Sequence, residues 1–149
     1  MATQRDKAYC NFNFLVDLGT GSDGPTAGFE DVRLPEVWLD VIEYRNGNDK
    51  ENSVRKLTGL EHCGNALLKR GAIGSLNLYQ WYNDVRNGNQ NALRTVTIQL
   101  QNEDHTAVVL TWKLLRARPV KFSFGPLNGK GNDVLIETLE LACERLEME

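Results

Sequence analysis

At 149 residues, with 25% charged side chains and a net charge of −3 from 17 basic and 20 acidic groups, the chain has the size of one domain. It lacks the basic surplus that nucleic-acid binding requires. Its longest apolar runs, such as AVVL at 107–110, are far too short to cross a bilayer.

The opening MATQRDKAYC has no apolar signal core, so synthesis in the cytoplasm and no stable membrane association are expected. Residues 1–8 are polar and read as a flexible tail, as do 147–149. From Phe12 to Leu18 apolar and polar residues alternate, the pattern of a half-buried strand. GTGSDGPTAG at 19–28 is dense in turn formers and reads as a loop. Phe29–Leu34 is a short second strand stopped by Pro35, and Val37–Tyr44 a third, rich in β-branched and aromatic residues. A polar excursion follows, with 46–60 read as an extended loop. Compact domains rarely carry so long a loop without a use for it.

Asn65–Arg70 reads as a strand, broken by Gly71 and Gly74. Ser75 is placed to cap a helix over 76–87, where Leu78, Trp81, Tyr82 and Val85 form one apolar stripe and Gly88 supplies the stop. Thr95–Gln101 alternates again: Val96, Ile98 and Leu100 face one way, Thr95, Thr97, Gln99 and Gln101 the other. A turn at 102–105 leads to a strand with Val108, Leu110, Trp112 and Leu114 on its buried face, which Pro119 is expected to interrupt. A loop through 125–133 and a last strand over 134–143 complete about seven strands and one helix. Short strands with short connections argue a mainly β fold, an antiparallel sandwich or barrel with one α-helix, in a single domain over 1–149.

Motifs for chemistry fail on inspection. GTGSDG at 19–24 has the glycine spacing of a dinucleotide fingerprint, but Pro25 and a strand follow where a helix N-terminus must stand. Gly125–Lys130 is one residue short of a P-loop and also leads to a strand. His62 and Cys63 are adjacent, so on a strand they point to opposite faces and cannot share a proton. Two histidines without a cysteine pair make a poor zinc set. The three cysteines, Cys10, Cys63 and Cys143, have no close spacing and read as reduced thiols. No catalytic residue, cofactor or metal is expected. Mixed charge around Asp49, Glu51, Arg55, Lys56 and Glu61 suits protein–protein contact.

Six tags in order carry a resemblance over 9–146. They are YCNFNFLVDL at 9–18, GFEDV at 28–32, IEYRNGND at 42–49, VRKLTGL at 54–60, LLKRG at 67–71 and LYQWY at 78–82, followed by PVK at 119–121 and NDVLIETLELA at 132–142. The sequence resembles the tail-tube family of contractile phages and of phage-derived contractile injection systems. That family reads EYR-x-G, RKLPGL, LKRG and IETLELAHE at the corresponding places. Thr58 stands where the family has Pro, Cys143 where His is common, and the 19–24 loop is longer.

The resemblance implies a subunit of a hexameric ring whose strands build a continuous inner barrel, with the helix at the outer edge. Rings stack into a rigid tube inside a contractile sheath, with baseplate and terminator proteins at its ends. The tube is driven through a target envelope to deliver cargo protein or DNA from its lumen. A tube-initiating or baseplate-adaptor ring of the same fold is an alternative, and a small ligand-binding β-domain is one from another class. On the tube reading, 46–60 reaches neighbouring subunits, with Tyr44, Arg45, Asp49, Lys50, Glu51, Arg55, Lys56, Leu57 and Leu60 as interface candidates. Thr95, Thr97, Gln99 and Gln101 are the candidates to face the lumen, because bores that hold water are polar. Six subunits at −3 sum to about −18 per ring, so an acidic lumen that repels DNA is expected.

Overall fold

A computed structural model describes residues 2–19 and 28–149. Most of the glycine-rich 19–24 stretch lies outside the described residues. Among the described residues nine strands run in the order β1 (Phe14–Asp17), β2 (Asp31–Arg33), β3 (Val37–Tyr44), β4 (Arg55–Cys63), β5 (Asn65–Gly71), β6 (Arg94–Gln101), β7 (Val108–Phe124), β8 (Ile136–Ala142) and β9 (Arg145–Met148). One α-helix, α1 (Asn77–Arg86), and a short 3-10 helix (Gln90–Ala92) lie between β5 and β6.

Seven strands form one antiparallel sheet in the order β1-β6-β7-β8-β5-β2, with β9 beside β7 in line with β8. The mainly β, antiparallel architecture with a single α-helix is therefore as the sequence pattern indicates. β7 organises it. Its first half pairs with β6 and β9, its second half with β8. Two irregularities bend it, one near Arg116, whose φ is +52°, and one between Pro119 and Lys121. The expected interruption at Pro119 is corrected: the strand runs on through it. A proline has no N–H to give, and a bulge is where a sheet tolerates that loss.

The bend wraps the sheet's inner face around one core. Val16, Val96, Ile98, Leu114, Ala66, Leu68, Leu139 and Leu141 come from five strands and are all essentially inaccessible. α1 closes the core with Leu78 and Trp81, and the Trp81 indole donates from Nε1 to the Ala92 carbonyl at 2.7 Å. The apolar stripe is as the 3.6-residue period predicts. The cap differs: Leu76 is the N-cap residue, and Ser75 Oγ instead donates to Asn77 Oδ1 at 3.0 Å and accepts from the Asn77 amide at 3.4 Å. Gly88, at φ +87°, ends the helix in the conformation glycine adopts most readily.

Both termini differ from the flexible tails expected. The Thr3 amide donates to the Val109 carbonyl at 3.0 Å, and Arg5 forms a two-pronged contact with Glu103 at 2.6 and 2.9 Å. β9 pairs with Trp112–Leu115, and Glu149 exchanges two backbone hydrogen bonds with Thr111. Short, charge-rich ends carry little strand pattern of their own; the partner strand fixes them.

One charged pair is built into the wall. Arg70 on β5 and Glu137 on β8 lie directly opposite, are both buried, and bond through Nε and Oε1. Arg70 also donates to Asn77 Oδ1 at 2.6 Å, tying the wall to the start of α1. Lys69 and Arg70, adjacent in sequence, therefore have unrelated surroundings.

Candidate assembly surface

β3 and β4 pair only with each other, as a two-stranded antiparallel ribbon apart from the main sheet. Here the expectation of a loop over 46–60 is corrected. Residues 55–60 are strand, and the connection is 45–54. β4 escapes sequence recognition because RKLTGLEHC has no clean alternation of apolar and polar residues. Alternation appears only where one face is buried.

The ribbon is stepped once. Between Leu39 and Val41 the partners move from Glu61 to Thr58, so β4 carries an extra residue. Gly59 sits at that bulge, and a Cβ there would lie 3.0 Å from Asp40 Cβ and 3.1 Å from its carbonyl oxygen. A larger residue there would require Asp40 to shift by a few tenths of an ångström.

Directly opposed residues share a face. One face carries Trp38, Ile42 and Tyr44 with His62, Leu57 and Arg55 opposite; the other carries Val37, Leu39 and Val41 with Cys63, Glu61 and Thr58 opposite. Both are open. Trp38 is 49% exposed, Ile42 51%, Leu57 51% and Leu60 75%. Of the nineteen exposed large hydrophobic residues among those described, nine lie between Val37 and Leu60. Isolated exposed hydrophobics are ordinary, but a contiguous group on one projecting element marks an interaction surface. An eight-residue strand is about 26 Å long, enough to reach well into a neighbouring molecule.

Most of the predicted interface residues fall on the tip and outer half of this ribbon, while Leu57 lies opposite Ile42 and Leu60 sits at the bulge, both in its inner half. Tyr44 faces Arg55, Lys56 faces Glu43, and Leu57 faces Ile42. The tip is organised rather than loose. Arg45 donates to the Glu51 carbonyl at 3.0 Å and the Asp49 carbonyl at 2.9 Å; the Asn46 amide donates to Asp49 Oδ2 at 3.1 Å; Arg55 pairs with Asp49 at 3.2 Å. Arg45 and Asp49 thus hold the tip together, while Lys50 and Glu51 are exposed on it. Sequence reading missed the inner half of the ribbon, Val37–Ile42. The signal was available: apolar residues occupy both alternations of β3.

The inner half also carries a polar cluster. His62 Nε2 and Asp40 Oδ2 are 2.6 Å apart, and the His62 ring stacks on Trp38 at 5.5 Å. The adjacent Cys63 points to the opposite face, so the two cannot form a nucleophile–base pair. Among the described residues no group of three or more His, Cys, Asp or Glu gathers to hold a metal ion. Among the described residues no helix is long and apolar enough to cross a membrane.

The second surface is the outer face of β6. Thr95, Thr97, Gln99 and Gln101 alternate with buried Val96, Ile98 and Leu100, as their period requires. Their neighbours are Asp17 and Lys113 beside Thr97, then Glu147 beside Lys113. Lys113 Nζ donates to Glu149 Oε1 at 2.6 Å; that contact lowers the Glu149 carboxyl and raises the Lys113 ammonium from their ordinary values. Arg145 lies opposite Leu115 on the same face. The face is polar with both signs of charge, rather than uniformly acidic.

The T4-like virus tail tube protein gp19 family matches residues 10–147. Among solved structures, a chain from the sheath–tube complex of an extracellular contractile injection system (PVC, extended state) is 25% identical, with a TM-score of 0.83 over 97% of this chain and 93% of that one. A chain from the baseplate of the anti-feeding prophage (AFP) is 26% identical, with a TM-score of 0.78 over 97% of each chain. Hcp1 from Flavobacterium johnsoniae shares the fold at 16% identity, with a TM-score of 0.53 over 92% of this chain and 94% of that one. Among curated proteins none matches in sequence.

Proposed function

The chain belongs to the T4-like virus tail tube protein family and is a structural component of a phage tail or phage-tail-like particle, and from that premise we propose how it builds a tube. Six copies close into a ring. The β3–β4 ribbon of each leaves its own body and lies against neighbouring copies, burying both of its apolar faces. Rings then stack head to tail; such a heterologous contact repeats openly and makes a filament. Tip residues Lys50, Glu51, Arg55 and Lys56 supply mixed charge at these contacts, where charge fixes register and partner choice.

The outer face of β6 lines the bore. Thr97 and Gln99 keep it wetted, and the paired charges of Lys113 and Glu149 leave it without a strong field to grip a passing solute. Cargo protein or DNA slides through without catalysis, and the function is mechanical. A contractile sheath surrounds the tube and baseplate and terminator proteins close its ends, with assembly in the cytoplasm.

The observation that carries this reading is the ribbon itself, apolar and half-exposed on both faces. Negative-stain microscopy of the purified protein tests it. Long tubes of constant diameter are the expected result. Isolated rings that never stack would make the chain an adaptor, and a monodisperse monomer at high concentration would overturn the proposal.

A further inference from the structure

The root of the ribbon holds a close pair of thiols. Cys63 ends β4 and Cys143 follows β8, 80 residues apart in sequence, yet their sulfurs lie 2.9 Å apart. That is about 0.9 Å beyond the ~2.05 Å of a disulfide bond. The register explains the approach. Asn65 is opposite Ala142, so the next positions outward bring Gly64 and Cys143 together, and Cys143 Sγ reaches the Gly64 carbonyl at 3.7 Å. Both thiols are free in this structure; Cys143 is buried and Cys63 half-buried, while Cys10 is exposed elsewhere.

We propose that Cys63 and Cys143 form a redox-controlled disulfide site that covalently fixes the root of the β3–β4 ribbon to β8. The oxidant is a low-molecular-weight disulfide such as oxidised glutathione. Cys63, the more accessible thiol, attacks it as thiolate; the oxidant's S–S bond breaks and one thiolate leaves. Cys143 then gives up its proton to water and attacks the Cys63 sulfur, expelling the second thiolate. Two cysteine thiols lose two electrons and two protons, and the oxidant is reduced to two thiols. Burial, and after it the hydrogen bond with Cys63, push the Cys143 thiol up to about 12; the burial remains in the mixed disulfide, so this second step is slow near neutral pH and accelerates as pH rises. A reducing compartment keeps the pair open, and oxidising surroundings close it. The ribbon can thus be placed first and stapled afterwards.

The test uses the full chain carrying Cys10→Ser, incubated with oxidised glutathione at mildly alkaline pH, then denatured and alkylated. Intact mass should show no alkylated thiol and the loss of two hydrogens, with a peptide map linking the segments of Cys63 and Cys143. The oxidised form should melt above the reduced one, and adding Cys63→Ser should abolish that difference. Two alkylated thiols per chain, a persistent glutathione adduct on Cys63, or dimers on a non-reducing gel would each overturn the proposal.

Discussion

Replacing Ile42 with Asp separates folding from assembly. Ile42 is 51% exposed in the isolated subunit and lies opposite Leu57, which is also 51% exposed. Full burial of such a side chain stabilises by about 1.5–3 kcal/mol, so roughly half of that remains to be gained at a contact with a neighbour. A carboxylate in the same contact adds an uncompensated desolvation penalty of several kcal/mol. Together the change weakens each contact by at least about 3 kcal/mol, more than about 100-fold in association constant. A closed ring repeats the defect at every contact. The isolated subunit loses far less, about 1 kcal/mol, because the site is half in water already and the main core contains no β3 residue. Thermal melting by circular dichroism should therefore fall by only about 2–4 °C. Sedimentation and negative stain should show tubes lost at concentrations where the native chain and Ile42→Val assemble. Native tube yield for Ile42→Asp, or a subunit that no longer folds, would refute the reasoning.

Three further outcomes follow from the geometry. Glu137→Ala leaves Arg70 buried without its carboxylate and should cost about 3–5 kcal/mol, read as a drop in melting temperature of roughly 6–20 °C. Gly59→Val forces Asp40 to move and so disturbs the step in the ribbon; tube yield should fall while the melting of the main core is nearly unchanged, and an equal fall in both would place Gly59 in the core's folding unit. The hydrogen bond from Arg5 holds the Glu103 carboxyl down at about 2 against an ordinary 4.5. A depressed carboxyl stabilises the fold above its unfolded pKa, and the stabilisation is lost as pH falls through the folded value. The N-terminal tether should accordingly be at full strength above about pH 4.5, weaken progressively below it and be released by about pH 2. Hydrogen exchange of the Thr3 amide across that range checks it, with Glu103→Gln releasing it at neutral pH.

What was legible in the sequence follows burial. β6 alternates cleanly because one face packs on the core and the other meets water, and α1 shows its stripe for the same reason. The wall strand ending in ETLELA reads correctly except at Glu137, which occupies an apolar row only because Arg70 faces it across the ladder. No local pattern announces such a long-range pair. Pro119 misleads for a related reason: the rule against proline in central strands assumes an unbroken ladder, and β7 has a bulge there. β9 and the first residues have too few side chains to show a period at all.

β3 is read correctly as a strand over Val37–Tyr44, but what surrounds it is not, and the reason is informative. Val37, Trp38, Leu39, Val41 and Ile42 make it apolar on both alternations, the pattern of a strand covered on both faces. The single chain covers neither face. Sequence pattern and isolated subunit thus disagree, and the disagreement has a direction. A strand selected only for a monomer would carry polar residues on open faces, since exposed apolar edges invite non-specific pairing. Here the pattern is written for an environment that the single chain does not contain. An environment with cover on two sides is what a ring supplies, where each subunit has neighbours in both directions. Asp40 and His62 fit the same account: a polar pair beside Trp38 is costly to bury unless it is mutually satisfied, and the 2.6 Å contact between them does that within the ribbon before any neighbour arrives.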